Sequence, residues 1–153
     1  MAVPEALAAL RLLHVVLAIV AVGANLTFPL WIRLAERDPA HLRFTLLGIR
    51  WLDRYVAIPA YGLLALTGLA LAVLGAVPLT TAWLAVSIAL YAGVAVLGFG
   101  VYRRVSRARL AALESGSPGD LAYRRARQQA RALDGMVIAA VLVILALMVL
   151  KPF

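Results

Sequence analysis

The chain has 153 residues, 65% of them hydrophobic, with a mean hydropathy of +0.97 and a formal net charge of +8 at pH 7. A soluble domain of this size cannot hide so much apolar surface, since globular chains run about 45–50% apolar, so an ordinary water-soluble fold is excluded. The absence of cysteine also excludes disulfides, iron–sulfur clusters and thiolate metal sites.

A membrane span needs about 20 mostly apolar residues, and windows at 12–32, 55–74, 82–101 and 135–150 qualify, each free of Asp, Glu, Lys and Arg. The first, "LLHVVLAIVAVGANLTFPLWI", is read as a true span. No basic residue precedes Arg11, and the apolar run is too long for a signal peptide. At 3.6 residues per turn His14, Ala18, Ala21 and Asn25 share one face of this helix, which is expected to look inward. Pro29 has no N–H, so it should kink the helix and free the Asn25 carbonyl.

The second window carries Pro59, a further expected kink, and a small-residue row at Gly68, Ala72 and Ala76. "VPLTT" at 77–81 reads as a tight turn, with Pro78 stopping the second helix and Thr80 or Thr81 capping the third. The third window has its own small row at Ala85, Ala89 and Gly93, and its helix is expected to continue through "YRRVSRARLAALE". In "SGSPGD", residues 115–120, Ser117 suits an N-cap and Pro118 a first helical position. The fourth helix should then run through "LAYRRARQQARALDG" into an aliphatic span, facing lipid or a second copy rather than lining a site.

The 15 basic residues are segregated. Arg33, Arg37, Arg43, Arg50 and Arg54 lie between spans one and two. Arg103, Arg104, Arg107, Arg109, Arg124, Arg125, Arg127 and Arg131 lie between spans three and four. "GAVPLTT" has no charge, and only Arg11 and Lys151 fall on the other side. This is the positive-inside pattern, so both basic connections are expected in the cytoplasm and both termini outside. The charge is read as orientation and contact with anionic headgroups, with no nucleic acid as partner.

The expected fold is all-α: a four-helix transmembrane bundle of two hairpins, N-out and C-out. It forms a single four-span membrane domain over 1–153, with a basic cytoplasmic helical extension at about 103–134. "RWLDRYVAIPA" (50–60) and "RALDGMVIAAV" (131–141) share Arg-x-Leu-Asp at the start of spans two and four, which points to duplicated hairpins. The alternative is that Arg50/Asp53 and Arg131/Asp134 are i,i+3 ion pairs of the kind any entering helix favours.

Polar residues inside a bilayer are functional candidates, and here they are His14, Asn25, Tyr61, Thr67, Ser87 and Tyr91. His14 and Asn25 lie about 16 Å apart along the helix. His41 falls in the first basic connection, too far to share a metal with His14, so a metal site is not expected. Without an embedded acid there is no His–Ser nucleophile pair. His14 is either a hydrogen-bonding group between helices or a ligand, and Asn25 either a helix–helix hydrogen bonder or a ligand contact.

"LRLLHVVLAIVAVGANLTFPLWIR", "RYVAIPAYGLLALTGLALAV" and the closing "ALMVLKPF" together resemble an uncharacterised family of bacterial predicted integral membrane proteins. More distantly the chain is similar to the copper-resistance D-type proteins and to the HemJ-type membrane protoporphyrinogen oxidase. The oxidase likeness implies haem b, or another tetrapyrrole, in a redox role with His14 as axial ligand and Asn25 nearby. It departs from that pattern at Val22, Gly23 and Ala24, where the oxidases carry aromatics, and at Leu133 and Asp134, where they carry Asn-Glu. Two other readings stand beside it. One is a carrier or channel for a small solute, working as a homo-oligomer, with a path along Asn25, Thr67, Ser87 and Tyr91. The other is a non-catalytic membrane module whose basic extension recruits a partner or anionic lipid. No enzyme activity is assigned. The Arg-rich, Ala/Leu/Val/Gly-rich composition points to a bacterial inner membrane.

Overall fold

The computed structural model of the protein describes residues 3–152. Phe153, the last residue of "ALMVLKPF", lies outside the described residues. The described chain is helical almost throughout: α1 Val3–Ala35, α2 Pro39–Leu52, α3 Ile58–Leu74, α4 Ala82–Val96, α5 Arg103–Ser115 and α6 Leu121–Leu150. Two π-helical segments, Asp53–Ala57 and Leu97–Tyr102, join α2 to α3 and α4 to α5 without a break. The result is four continuous rods of 32, 35, 34 and 30 residues, each long and apolar enough to cross a membrane. At about 1.5 Å per residue each is about 45–53 Å long, well beyond a hydrocarbon core of about 30 Å.

α1 packs along α3, α4 along α6, and α5 against α6, while α2 packs back on α1. The pairs run antiparallel, because His14 meets Thr67 while Asn25 meets Tyr61. At the far end of the other pair, the Lys151 ammonium lies 5.6 Å from the Trp83 ring.

The first basic connection is more ordered than its charge suggests. α1 ends in a tight turn in which Asp38 N–H reaches the Ala35 carbonyl at 3.1 Å, and α2 starts at once. Asp38 caps α2 by accepting from the Ala40 N–H at 3.1 Å, and its other oxygen meets His41 Nδ1 at 2.7 Å. The His41 contact, helped by that N–H, holds the Asp38 carboxyl below its ordinary value.

Each π segment has a local cause. In the first, the Ile58 N–H reaches back five residues to the Asp53 carbonyl, just before Pro59, which has no N–H to give. The second, "LGFGVY", holds Gly98 and Gly100, residues that weaken an α-helix.

Several expectations need correction. α3 does not stop at Pro78. It closes earlier in a Schellman turn, with Val77 N–H on the Ala72 carbonyl at 2.9 Å and Ala76 on Val73 at 3.2 Å. Ala76 therefore takes the left-handed position at φ 51°, one residue after the glycine that suits it better. Thr81 occupies the N-cap position of α4, but its side chain makes no capping bond. Ser117 does not cap the last helix. Asp120 sits at that position, and its carboxylate turns back to the Ser117 N–H at 2.6 Å, closing the turn instead. Ala85, Ala89 and Gly93 are exposed, whereas Leu84 and Ser87 form the buried face of α4.

The two ends of the rods are built differently. The largest buried cluster unites Phe28, Ile32 and Ala35 of α1 with Leu42, Leu46 and Ile49 of α2, Leu110 of α5 and Tyr123 of α6. It lies at the arginine-rich end. Toward the other end most buried positions are small, such as Ala21, Ala60, Thr67, Ala72 and Ser87, with Leu84 and Val141 the larger exceptions, while Leu12, Ile19, Leu66, Val73 and Val149 face outward.

Candidate functional site

The polar face of α1 turns to α3 and divides into two unlike contacts. Near the start, His14 Nδ1 lies 2.9 Å from Thr67 Oγ1. The Thr67 hydroxyl gives its proton to the Leu63 carbonyl at 2.8 Å, so its oxygen accepts from His14 Nδ1–H. Gly68 makes room for the ring, since a Cβ there would stand 3.0 Å from His14 Cε1. His14 thus works as a clasp between two helices, with its Nε2 left as the bare nitrogen.

Three turns further along, Asn25 Nδ2 donates to the Tyr61 hydroxyl at 2.5 Å. Tyr91 on α4 donates to the Tyr61 backbone carbonyl at 2.6 Å, and the two tyrosine rings meet edge-on with centroids 6.3 Å apart. Asn25, Tyr61 and Tyr91 therefore bind α1, α3 and α4 at one level.

These three residues form part of the wall of a cavity of about 340 Å³ between the rods. Its other polar lining is Asp53, Tyr102 and Asp134, and the remainder is apolar or glycine, including Phe28, Gly62, Gly98 and Ile138. The π segments supply Asp53 and Tyr102, in keeping with the tendency of such bulges to occur at functional positions. Asp134 rests against the Tyr102 hydroxyl, and Asp53 is within electrostatic reach of Arg103.

The proposed path is therefore divided. Asn25 and Tyr91 line the cavity, whereas Thr67 and Ser87 do not. Thr67 serves the His14 clasp, and the buried Ser87 donates to the Trp83 carbonyl at 2.7 Å. His14 is also outside the lining, which contains no histidine or methionine. A further correction concerns α6: Asp134, Val137 and Ile138 place it in the wall, not only toward lipid.

Asp53 and Asp134 were marked in the sequence by the shared Arg-x-Leu-Asp, as a sign of duplicated hairpins or, alternatively, as halves of local ion pairs. Arg131 reaches Glu36 instead, at 2.9 Å, and among the described residues neither aspartate forms an i,i+3 ion pair. Glu36 itself carried no sequence signal. It receives Arg109 at 2.8 Å, Arg131 and Arg127, and Arg109 also donates to the Tyr123 hydroxyl at 3.0 Å. The Arg109 and Glu36 side chains are 3% and 11% exposed, so this hub is a buried tie between α1, α5 and α6. Among the described residues no group of three or more His, Cys, Asp or Glu could hold a metal.

The family model described as predicted integral membrane protein (DUF2269) matches residues 8–152, essentially the whole chain. The chain belongs to this family. No curated protein and no solved structure matches it. This DUF2269 protein is an integral membrane protein with four candidate spans, and the residues that line its cavity all fall within the matched range.

Proposed function

We propose that this DUF2269 protein is a carrier that binds a small, mostly apolar solute bearing a cationic amine in the cavity between its spans. The observation that carries this reading is the meeting of Asp53 and Asp134, from two similar segments, on one otherwise apolar cavity. Carboxylates are expensive at such a position unless they are paired or used. Asn25, Tyr61 and Tyr91 add hydrogen-bonding groups at the far wall.

In this reading the rods form two hairpins, 3–74 and 82–150. The arginine-rich end faces the cytoplasm of a bacterial inner membrane, and both termini lie outside. The cavity then opens toward the cytoplasmic headgroups. Four spans enclose only a narrow path, so the carrier works as a homo-oligomer.

Benzylamine is a suitable probe, titrated into the purified full chain in detergent and followed by saturation-transfer NMR. Binding should fall at least about tenfold in Asp53→Asn and Asp134→Asn, the loss of one charge-assisted contact. Equal binding of benzyl alcohol, or unchanged binding in both variants, would overturn the cationic-solute reading.

Haem b on His14 is the second reading. Its support is the Nδ1–Thr67 bond, which leaves Nε2 free in the tautomer metal-bound histidines use. The cavity residues do not fit a haem, and the second histidine, His41, stands outside the cavity beside Asp38. A Soret band in protein expressed with haem, absent from His14→Ala, is the result this reading requires.

A further inference from the structure

A second cavity, of about 330 Å³, opens at the arginine-rich end beside the first. Its wall holds Arg50 and Arg54 from one rod and Arg103, Arg107 and Ser106 from the next, with Asp53 as its one carboxylate. We propose that this pocket is a binding site for a phosphate group. The inference does not rest on the cavity reading above: the two cavities share Asp53, Ile58 and Tyr102, but the arginines that carry this site line only the second.

Three observations support it. First, four other arginines at this end, Arg43, Arg109, Arg127 and Arg131, each pair with a glutamate. Among the described residues Arg50, Arg54, Arg103 and Arg107 have no salt bridge within 4.0 Å, so four guanidiniums face one aspartate. Second, both pairs are spaced i,i+4, which sets like charges side by side on each helix. That arrangement destabilises a helix unless an anion lies between the charges.

Third, the guanidiniums are positioned. Arg103 lies over the Phe99 ring at 4.9 Å and Arg54 over Tyr55 at 5.8 Å, while Arg107 Nε donates to the Arg103 carbonyl at 3.2 Å. Planar forks from two helices, with Ser106 in the same wall, match a tetrahedral oxyanion. The group could belong to a lipid such as phosphatidic acid or to a free phosphate, and these sources separate by experiment.

The test uses the full chain in phosphatidylcholine nanodiscs, with phosphatidic acid added to the discs or inorganic phosphate to the buffer. Thermal unfolding is followed by tryptophan fluorescence, and bound lipid by native mass spectrometry. Phosphatidic acid should raise the melting temperature of the wild type and remain bound. A rise with phosphatidic acid alone assigns the lipid as the source, and a rise with inorganic phosphate assigns the free anion. Arg103→Gln/Arg107→Gln should weaken binding about tenfold or more, while Arg124→Gln/Arg125→Gln, which removes the same charge from positions outside the pocket, should change it less than about threefold. Should the glutamine pair fail to fold, Arg103→Lys/Arg107→Lys keeps the charge and loses the fork, and weaker binding is again expected. Equal loss from the pairs inside and outside the pocket, a lysine pair that binds like the wild type, or no ligand effect on the wild type would each overturn the site.

Discussion

The arginine-rich end and the opposite end of the same four rods follow inverse rules. At the arginine-rich end Leu42, Leu46, Ile49, Leu110 and Tyr123 pack inward and most charges face out, as in a soluble helical domain, with the Glu36–Arg109 pair the buried exception. Toward the opposite end Leu12, Ile19, Leu66 and Val149 face out, and the inward positions hold Ala21, Ala60, Thr67 and Ser87. Burial of apolar surface stabilises only the part of the chain that meets water. Between spans, where lipid is as apolar as leucine, close approach of small residues and a few hydrogen bonds must hold the helices. The two cavities lie at the junction of these regimes, where the rods pass from α to π geometry.

The largest effect expected from this comparison is at Glu36. Glu36→Gln leaves the buried Arg109 guanidinium without its countercharge and should cost about 3–5 kcal/mol, read as a lowered melting temperature in detergent. A shift no larger than that of an exposed charge would mean that the hub is not a buried tie.

Paired leucine truncations test the comparison directly. Leu42→Ala removes a side chain that is 1% exposed, at a cost of about 2–5 kcal/mol. The same change at Leu66, which is 65% exposed, should cost about 0.5 kcal/mol or less. Similar losses at both positions would break the contrast between the two ends.

Thr67→Val keeps the shape of the side chain and removes the oxygen that receives His14 Nδ1–H. The expected loss is about 0.6 kcal/mol, the average of interhelical hydrogen bonds measured within membranes. A much larger loss would show that the clasp also orders the neighbouring helix packing.

The smallest effect concerns pH. The Asp38 carboxyl is held below its ordinary value, so its capping contribution is complete above the unfolded-state value and disappears as pH falls through the lower folded-state value. Stability should therefore decline below about pH 4, and that part of the decline should be missing in Asp38→Asn, where an uncharged cap replaces the carboxylate. An identical acid profile in the variant would remove Asp38 from the account.

Much of the architecture was legible from one dimension. Runs such as 55–74 and 135–150 cannot be stable in water as isolated helices, and the solvent they require sets their length and their helical form. Spacing alone turned His14 and Asn25 to one face, because helical periodicity is a local property. Local chemistry was a weaker guide at the helix ends, where Ala76 and Asp120 took positions that better-suited residues nearby had promised.

The sequence by itself determined an all-α protein with four rods long and apolar enough to cross a membrane, and the segregation of its arginines. Only the tertiary structure decided which polar groups meet. It sent His14 to Thr67 and Asn25 to Tyr61, gathered three arginines on Glu36, and set Asp53 and Asp134 on one cavity although they are 81 residues apart in the numbering. The reason is physical. Solvent preference and helical period are properties of a short stretch of chain, whereas a partner depends on the rotation and register of packed helices, which no single helix encodes.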